Sequence, residues 1–131
     1  MNALNSNDLF ARYLLTARWY SRTKNEVKFA AFMPDPNPLT GVQETSIYQL
    51  SDLGEDEIWD LGEREVVAKR PGRRLHGRAD ISSDEVIRHG LEININNNPL
   101  RHAAIVNWPD EESEQLLRAT ELALSSKLHL C

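Results

Sequence analysis

Residues Arg88 to Pro109 read RHGLEININNNPLRHAAIVNWP, and this stretch decides the predicted fold. In Leu91 to Ile95, apolar residues alternate with polar ones, which is the pattern of a strand with one buried face. Three asparagines and a proline follow, and they favour a turn because asparagine tolerates left-handed backbone angles. His102 to Val106 is less polar still, so we predict a returning strand in a central position of the sheet.

The chain leaves this stretch through Trp108-Pro109 and enters the segment with the clearest helical period. Acidic residues are concentrated between positions 110 and 114, where a helix N-terminus favours negative charge. Leucine and alanine then recur at helical spacing as far as Leu128. We therefore predict a long C-terminal helix that lies across one face of the sheet.

The residues before this stretch predict further strands and helices. Leu9 to Ala17 has the spacing of an amphipathic helix, so an N-terminal helix is expected to pack on the sheet or cover an edge. Short helices are predicted within Asp52 to Leu61 and after a capping box that begins at Ser82. Further strands are predicted at Glu26 to Met33, Gln43 to Leu50, Glu65 to Lys69 and Leu75 to Ile81.

This order of elements predicts an α+β fold. The helices are too few and too unevenly spaced to serve as parallel crossovers, so the sheet of about five to six strands should be mainly antiparallel or mixed. A length of 131 residues with 40% hydrophobic residues is enough for one core, so a single domain over residues 1 to 131 is expected.

The composition excludes several classes of protein. A net charge of -5 argues against attraction of the whole surface to nucleic acid or anionic lipid. Because the sequence shows neither an apolar run of roughly 20 residues nor the pattern of a secretory signal, a cytoplasmic location without membrane contact is expected. With Cys131 as the single cysteine and four histidines that are not at ligand spacing, no disulfide, metal or cofactor is predicted.

His102 is the candidate catalytic residue. It lies at the start of a buried strand, where it could act as a general acid or base while the adjacent Arg101 binds an anionic substrate. The alternative is a histidine at a strand end whose ring bonds a backbone carbonyl.

The segment KRPGRR, residues 69 to 74, predicts a basic turn that joins two strands of a hairpin. Clustered guanidinium groups bind phosphate, so Arg70, Arg73, Arg74 and the nearby Arg78 are candidate binding residues. The alternative is a solvated turn whose charge keeps an edge hairpin soluble. Near the N-terminus, Arg18 and Arg22 either complement a helix dipole or face a phosphate.

Charge is also segregated along the chain, because acidic segments at 52 to 65 and 110 to 114 flank a basic one at 64 to 78. Such segregation favours association with a protein partner or with a second copy of the chain. Trp108 is then a candidate anchor, unless it packs in the core.

These observations leave three functional hypotheses, and whether there is any catalysis stays open. The first is a small cytoplasmic binding or regulatory protein that acts through a protein partner. The second is a small enzyme that acts on a nucleotide or phosphate ester, with His102 as acid-base residue and phosphate held by arginines from the set Arg18, Arg22, Arg78 and Arg101. The third, a nucleic-acid-binding module that uses residues 69 to 74, is less favoured because aromatic residues do not alternate with the basic ones.

Overall fold

The computed structural model describes residues 8 to 131 and shows an α+β fold with a mostly antiparallel sheet. The helices are α1 (Glu55–Glu65), α2 (Ser83–Arg88) and α3 (Glu112–Ser125), with short 3-10 turns at Ala17–Trp19, Phe29–Ala31 and Val67–Lys69. The strands are β1 (Leu9–Leu14), β2 (Tyr20–Ser21), β3 (Glu26–Val27), β4 (Asp35–Pro36), β5 (Gln43–Gln49), β6 (Gly77–Ser82), β7 (Glu92–Ile95), β8 (His102–Val106) and β9 (Lys127–Leu130).

The main sheet runs in the order β7-β8-β5-β1-β6-β9, and β4 adds to the start of β5. Within the described range this makes seven strands, which is more than the five to six predicted from the sequence. The α+β class and the β7-turn-β8 unit are confirmed. β8 is an interior strand, flanked by β7 and β5, whereas β1 and β5 occupy the middle of the sheet.

The predicted N-terminal helix is wrong, because Leu9–Leu14 forms the central strand β1. Phe10 and Leu14 pack into the core on one face of the sheet, and Ala11 and Tyr13 pack on the other. A strand that is buried on both faces carries apolar residues without a two-residue alternation, so its sequence resembles one stripe of a helix.

The predicted hairpin around residues 69 to 74 is also wrong. Glu65 is the last residue of α1, and a 3-10 turn at Val67–Lys69 leads into an irregular basic loop that reaches β6 at Gly77. The predicted strand at 26 to 33 is reduced to Glu26–Val27, which pairs with β2, followed by a 3-10 turn.

The C-terminal helix is shorter than predicted. α3 has 14 residues and ends at Ser125, and the chain then returns as the edge strand β9 along β6. Gly77 of β6 permits this close pairing, because a Cβ at that position would lie 2.5 Å from the carbonyl oxygen of His129. Within residues 8 to 131, no helix has the length and apolar character needed to cross a membrane.

The two faces of the sheet are covered by different elements. α2, α3 and the 3-10 turn at Phe29–Ala31 pack on the face of Phe10 and Leu14, which we call the α3 face. α1 packs on the opposite face, called the α1 face, through Ile58 and Leu61. α1 covers only part of its face, and Ser46 and Tyr48 of β5 and His102 of β8 line an opening beside it.

Arg78 of β6 ties the N-terminus of α1 to the sheet. Its side chain is 1% exposed, and its Nη1 and Nη2 donate to the Glu55 carboxylate at 3.1 and 2.9 Å. Its Nε donates to Asp80 at 3.0 Å, and its guanidinium lies 4.6 Å from the ring centre of Trp59. Tyr13 adds a hydrogen bond from its hydroxyl to the Ile58 carbonyl at 2.6 Å. These bonds fix the position of α1 and, through it, of the basic loop.

Candidate anion-binding groove

A groove of about 960 Å³ opens where β1 and β5 separate. β1 pairs with β6 along its whole length, but it pairs with β5 only through Phe10 and Ala11. Beyond these residues Arg12 crosses the gap, with its Nε donating to the Ala31 carbonyl at 2.7 Å and its Nη1 to the Ser46 carbonyl at 3.1 Å. The separation of two central strands therefore creates a cleft that has a guanidinium at its base.

Four parts of the chain form the walls of the groove. The end of β1 and the following turn contribute Tyr13, Leu15, Thr16, Arg18 and Trp19, and β4 with the start of β5 contributes the opposite rim. Tyr48 and His102, which face each other across β5 and β8, form part of the floor. The end of α1 and the basic loop close the remaining side.

The groove is positively charged although the chain is acidic. Its lining contains three carboxylates (Asp35, Glu44 and Glu65) and five cationic side chains (Arg12, Arg18, Lys69, Arg70 and Arg73). With histidine neutral this is a net charge of +2, in a chain whose net charge is -5. The groove lining therefore has a charge opposite in sign to that of the chain as a whole.

Two of the three groove carboxylates have a partner within the described residues, and three of the five cations have no carboxylate partner there. Glu65 pairs with Lys69 at 3.2 Å, and Glu44 accepts a hydrogen bond from Asn37 at 2.9 Å. Within residues 8 to 131, Arg18, Arg70 and Arg73 have no carboxylate within ion-pairing distance. Unpaired guanidinium groups in a cleft are suited to bind an anion.

Arg70 lies close enough to Arg12 to affect its pKa. Burial lowers the pKa of Arg12 to about 10; Asp35 opposes this shift and Arg70 adds to it. The guanidinium of Arg12 also lies 4.7 Å from the ring centre of Trp19. Arg12 stays protonated at neutral pH, and its positive charge lies within reach of both Asp35 and Arg70.

His102 is held in one tautomer. Its Nδ1 lies 2.8 Å from Asn96 Oδ1, and that same oxygen accepts a hydrogen bond from the backbone N–H of Asn98 at 3.1 Å. Because an atom that accepts from a backbone N–H is the amide oxygen, Nδ1 of the neutral histidine must carry the proton. The lone pair is then on Nε2, which makes no hydrogen bond to a described residue, while His102 itself lines the groove.

The surroundings of His102 keep it neutral. Desolvation is the main cause that lowers its pKa, Lys69 lowers it further, and Glu44 opposes the shift. Tyr48 contacts the imidazole edge-on, with ring centres 5.3 Å apart. The pKa of Tyr48 is raised by burial and by Glu65, against the effects of Arg12 and Arg70. Tyr48 therefore stays a neutral phenol between the histidine and the arginines.

Arg101 positions the turn rather than lining the groove. Its Nη1 donates to the carbonyl oxygens of Ser51 and Gln49 at 2.7 and 3.2 Å, and its backbone N–H donates to Asn97 Oδ1 at 2.7 Å. These bonds fasten the asparagine turn to the end of β5, which places Asn96 beside His102.

The structure distributes the other predicted binding residues over four places. Arg18, Arg70 and Arg73 line the groove with His102. Arg22 and Arg74 lie outside its lining, near His76, whose pKa they lower in addition to the larger effect of desolvation. Arg78 is engaged by Glu55 and Asp80, as described above. Trp108 is 8% exposed, and its indole N–H donates to the Ile105 carbonyl at 3.0 Å, so little of it is left for a partner.

Comparisons of the chain with protein-family models, with curated proteins and with solved structures found no match. The functional argument therefore depends on the groove alone.

Two groove residues, Arg12 and Tyr48, were not singled out from the sequence, and Asn96, which contacts His102 from outside the groove lining, was predicted only as part of the asparagine turn. Arg12 carried one signal, since it is the only charge within the apolar segment LFARYL. Tyr48 and Asn96 matter only through their contacts with His102, and these depend on strand register and turn geometry. Among residues 8 to 131, no group of three or more His, Cys, Asp or Glu side chains is arranged to hold a metal ion.

Proposed function

We propose that the groove binds a ligand that carries one or more phosphate groups, such as a nucleotide or another phosphate ester. The observation that carries this proposal is the convergence of Arg12, Arg70 and Arg73 with His102 in one cleft of net positive charge. Guanidinium groups bind phosphate oxygens in a bidentate manner, and a cleft with walls of low dielectric constant concentrates anions.

The size and lining of the groove favour a ligand larger than phosphate itself. Its volume of about 960 Å³ is near the upper limit of roughly 1,000 Å³ for small-molecule pockets. Trp19, Tyr48 and His102 place aromatic rings beside the cations. An organic group with a flat ring, such as a nucleobase, can pack on these rings while its phosphate is bound by the arginines.

A protein partner remains a prediction with less support. Several of the charges that suggested it are paired within the chain, as in Arg78 with Glu55, Arg64 with Asp60 and Lys69 with Glu65. The segregation of charge along the sequence therefore leaves less unpaired charge on the surface than the sequence indicates.

Isothermal titration calorimetry at low salt, with inorganic pyrophosphate and with adenosine 5′-monophosphate as probes, tests the proposal. The decisive variant is Arg70→Gln/Arg73→Gln. Its matched control is Arg22→Gln/Arg74→Gln, which removes the same two charges from exposed arginines outside the groove.

We expect the groove variant to bind at least ~10-fold more weakly than the wild type, which corresponds to about 1.4 kcal/mol. The control should stay within about twofold, because long-range effects between exposed charges are screened by solvent and salt. Equal losses in both variants would show that binding follows total charge and not the groove, and absence of binding by the wild type would refute the proposal.

A further inference from the structure

We propose that the groove cleaves ribonucleotide phosphodiester bonds, with His102 taking the proton from the ribose 2′-hydroxyl as that oxygen attacks the neighbouring phosphorus. This activity presupposes the phosphate binding proposed above and adds a reaction to it.

The first reason is the state of His102. Asn96 Oδ1 holds the proton on Nδ1, so Nε2 has a free lone pair and accepts hydrogen bonds. The 2.8 Å bond to Asn96 and the edge contact with Tyr48 also restrict rotation of the ring. A histidine with one nitrogen oriented by a hydrogen bond and the other available in a cleft has the arrangement of a general base.

The second reason is the position of the cations. Lys69, Arg70 and Arg12 line the groove together with His102, and Lys69 lowers the pKa of the imidazole against a larger opposing effect of Glu44. The base therefore shares the groove with groups that can stabilise the extra negative charge of a five-coordinate phosphorus. Among the described residues the Nη2 of Arg12 makes no hydrogen bond, so this nitrogen can donate to a phosphate oxygen.

These two features select the class of substrate. Nε2 of His102 accepts a hydrogen bond in the same groove as the arginines that bind phosphate. The matching ligand therefore presents an O–H donor close to its phosphate. The 2′-hydroxyl of RNA is such a donor, and it is lacking in DNA. A substrate that carries its own nucleophile next to the phosphorus also gains from proximity, because the attack is intramolecular.

The reaction is balanced without a co-reactant. The proton of the 2′-hydroxyl moves to Nε2 of His102, the bond from O2′ to phosphorus forms, and the bond from phosphorus to O5′ breaks. The departing 5′-oxygen takes a proton from water, and the imidazolium later returns its proton to water. The products are a 2′,3′-cyclic phosphate and a free 5′-hydroxyl.

Asn96 is a positioning residue in this scheme, since it acts through His102. Two residues contact the imidazole, namely Asn96 in the turn and Tyr48 on β5. Two charged residues change its pKa, namely Glu44 on β5 and Lys69 after α1. His102 must be unprotonated to act, so activity should rise with pH through its pKa, at a pH below the ordinary histidine value of about 6.5. Asn96→Asp places a carboxylate at Nδ1, favours the imidazolium, and should move this rise to higher pH.

The test uses the full chain and the dinucleotide uridylyl-3′,5′-adenosine, with products separated by chromatography and identified by mass. The analogue with a 2′-O-methyl group cannot react, and it reports binding alone. His102→Ala is compared with His76→Ala, whose ring bonds Tyr20 outside the groove lining. All proteins are purified in parallel, so that a contaminating nuclease would appear equally in every sample.

We expect the wild type and His76→Ala to release the cyclic phosphate at rates within about twofold of each other. His102→Ala should lose at least ~100-fold in rate while it still binds the methylated analogue. Cleavage at an unchanged rate by His102→Ala, binding of the analogue without cleavage by the wild type, or an unshifted pH profile in Asn96→Asp would overturn the catalytic proposal and leave phosphate binding standing. If neither the analogue nor pyrophosphate binds, both proposals fail.

Discussion

Arg78→Met should destabilise the fold more than loss of a single ion pair at the surface. Arg78 is fully buried, and its bonds to Glu55 and Asp80 hold α1 and the basic loop against the sheet. Methionine preserves most of the aliphatic part of the side chain and removes the charge. The substitution therefore tests whether this cluster fixes the wall of the groove.

The magnitude follows from the exposure of the two partners. The Glu55 side chain is 66% exposed, so water replaces the guanidinium there at little cost. The Asp80 side chain is 10% exposed and would be left with His129, 3.3 Å away, as its remaining ion-pair partner. Breaking a buried pair costs about 3 to 5 kcal/mol, and because Glu55 and His129 soften the loss we expect about 3 kcal/mol. This corresponds to a decrease of roughly 10 °C in Tm.

The loss of stability caused by Arg78→Met should also become smaller as the pH falls. Desolvation raises the pKa of Asp80 in the folded protein, while Arg78 and His129 lower it. Without Arg78 that pKa rises further, so the native state binds a proton at a pH where the unfolded chain does not. Stability linked to such a raised pKa increases as pH falls through it, and the deficit of Arg78→Met should shrink between about pH 7 and about pH 4.

Urea denaturation followed by circular dichroism measures both effects, with Arg22→Met as the exposed control. The control should lie within about 0.5 kcal/mol of the wild type. A loss below about 1 kcal/mol in Arg78→Met at neutral pH, or a deficit that grows on acidification, would refute the role assigned to Arg78.

Two further substitutions test how the sheet is packed on each face. Gly62→Ala should lower the free energy of unfolding by about 2 kcal/mol, because the Cβ of alanine would lie 2.6 Å from a ring carbon of Tyr13. This loss is expected although alanine favours helices more than glycine does. Chemical denaturation measures it, and a loss no larger than that of the exposed Glu63→Ala would contradict the prediction. Thr45→Val should cost about 1 to 2 kcal/mol by the same measurement, because the buried hydroxyl donates to the Phe32 carbonyl at 2.9 Å; an unchanged midpoint would show that this bond is dispensable.

The parts of the fold predicted correctly from the sequence are those determined by local signals. The β7-turn-β8 unit follows from alternation and an asparagine turn, and the capping of α2 by Ser82 follows from four consecutive residues. The starts of α1 and α3 were indicated by helical spacing and by acidic first turns, but α1 continues past its predicted end at Leu61 to Glu65, and α3 ends at Ser125, before its predicted end at Leu128. In each case the physical cause lies within a few residues of the element itself.

The incorrect predictions concern strands whose conformation depends on distant partners. β1 is extended because it completes hydrogen bonds to both β5 and β6, and its apolar residues on two faces conceal the two-residue period. β9 has only four residues and follows a helix directly, so nothing in KLHL alone distinguishes it from another helical turn. Its pairing with β6 decides the conformation.

The sequence indicated which residues could form a site, but not which of them lie together in the folded chain. His102 and the basic loop were singled out separately, in two different functional hypotheses, and the structure brings Arg70 and Arg73 of the loop into the same groove as the histidine. Arg74 was grouped with them, yet it lies outside the groove lining, because the loop is irregular and not a hairpin.

A titration of the ¹⁵N-labelled protein with the 2′-O-methyl dinucleotide, followed by amide chemical shifts, tests the central claim most directly. The groove predicts that the largest shifts cluster at Tyr48, Lys69 to Arg73 and Asn96 to His102, and that they saturate together with one dissociation constant. Shifts confined to the surface around Arg22 and Arg74, or no shifts at a ligand concentration in large excess, would contradict a phosphate-binding groove at this position.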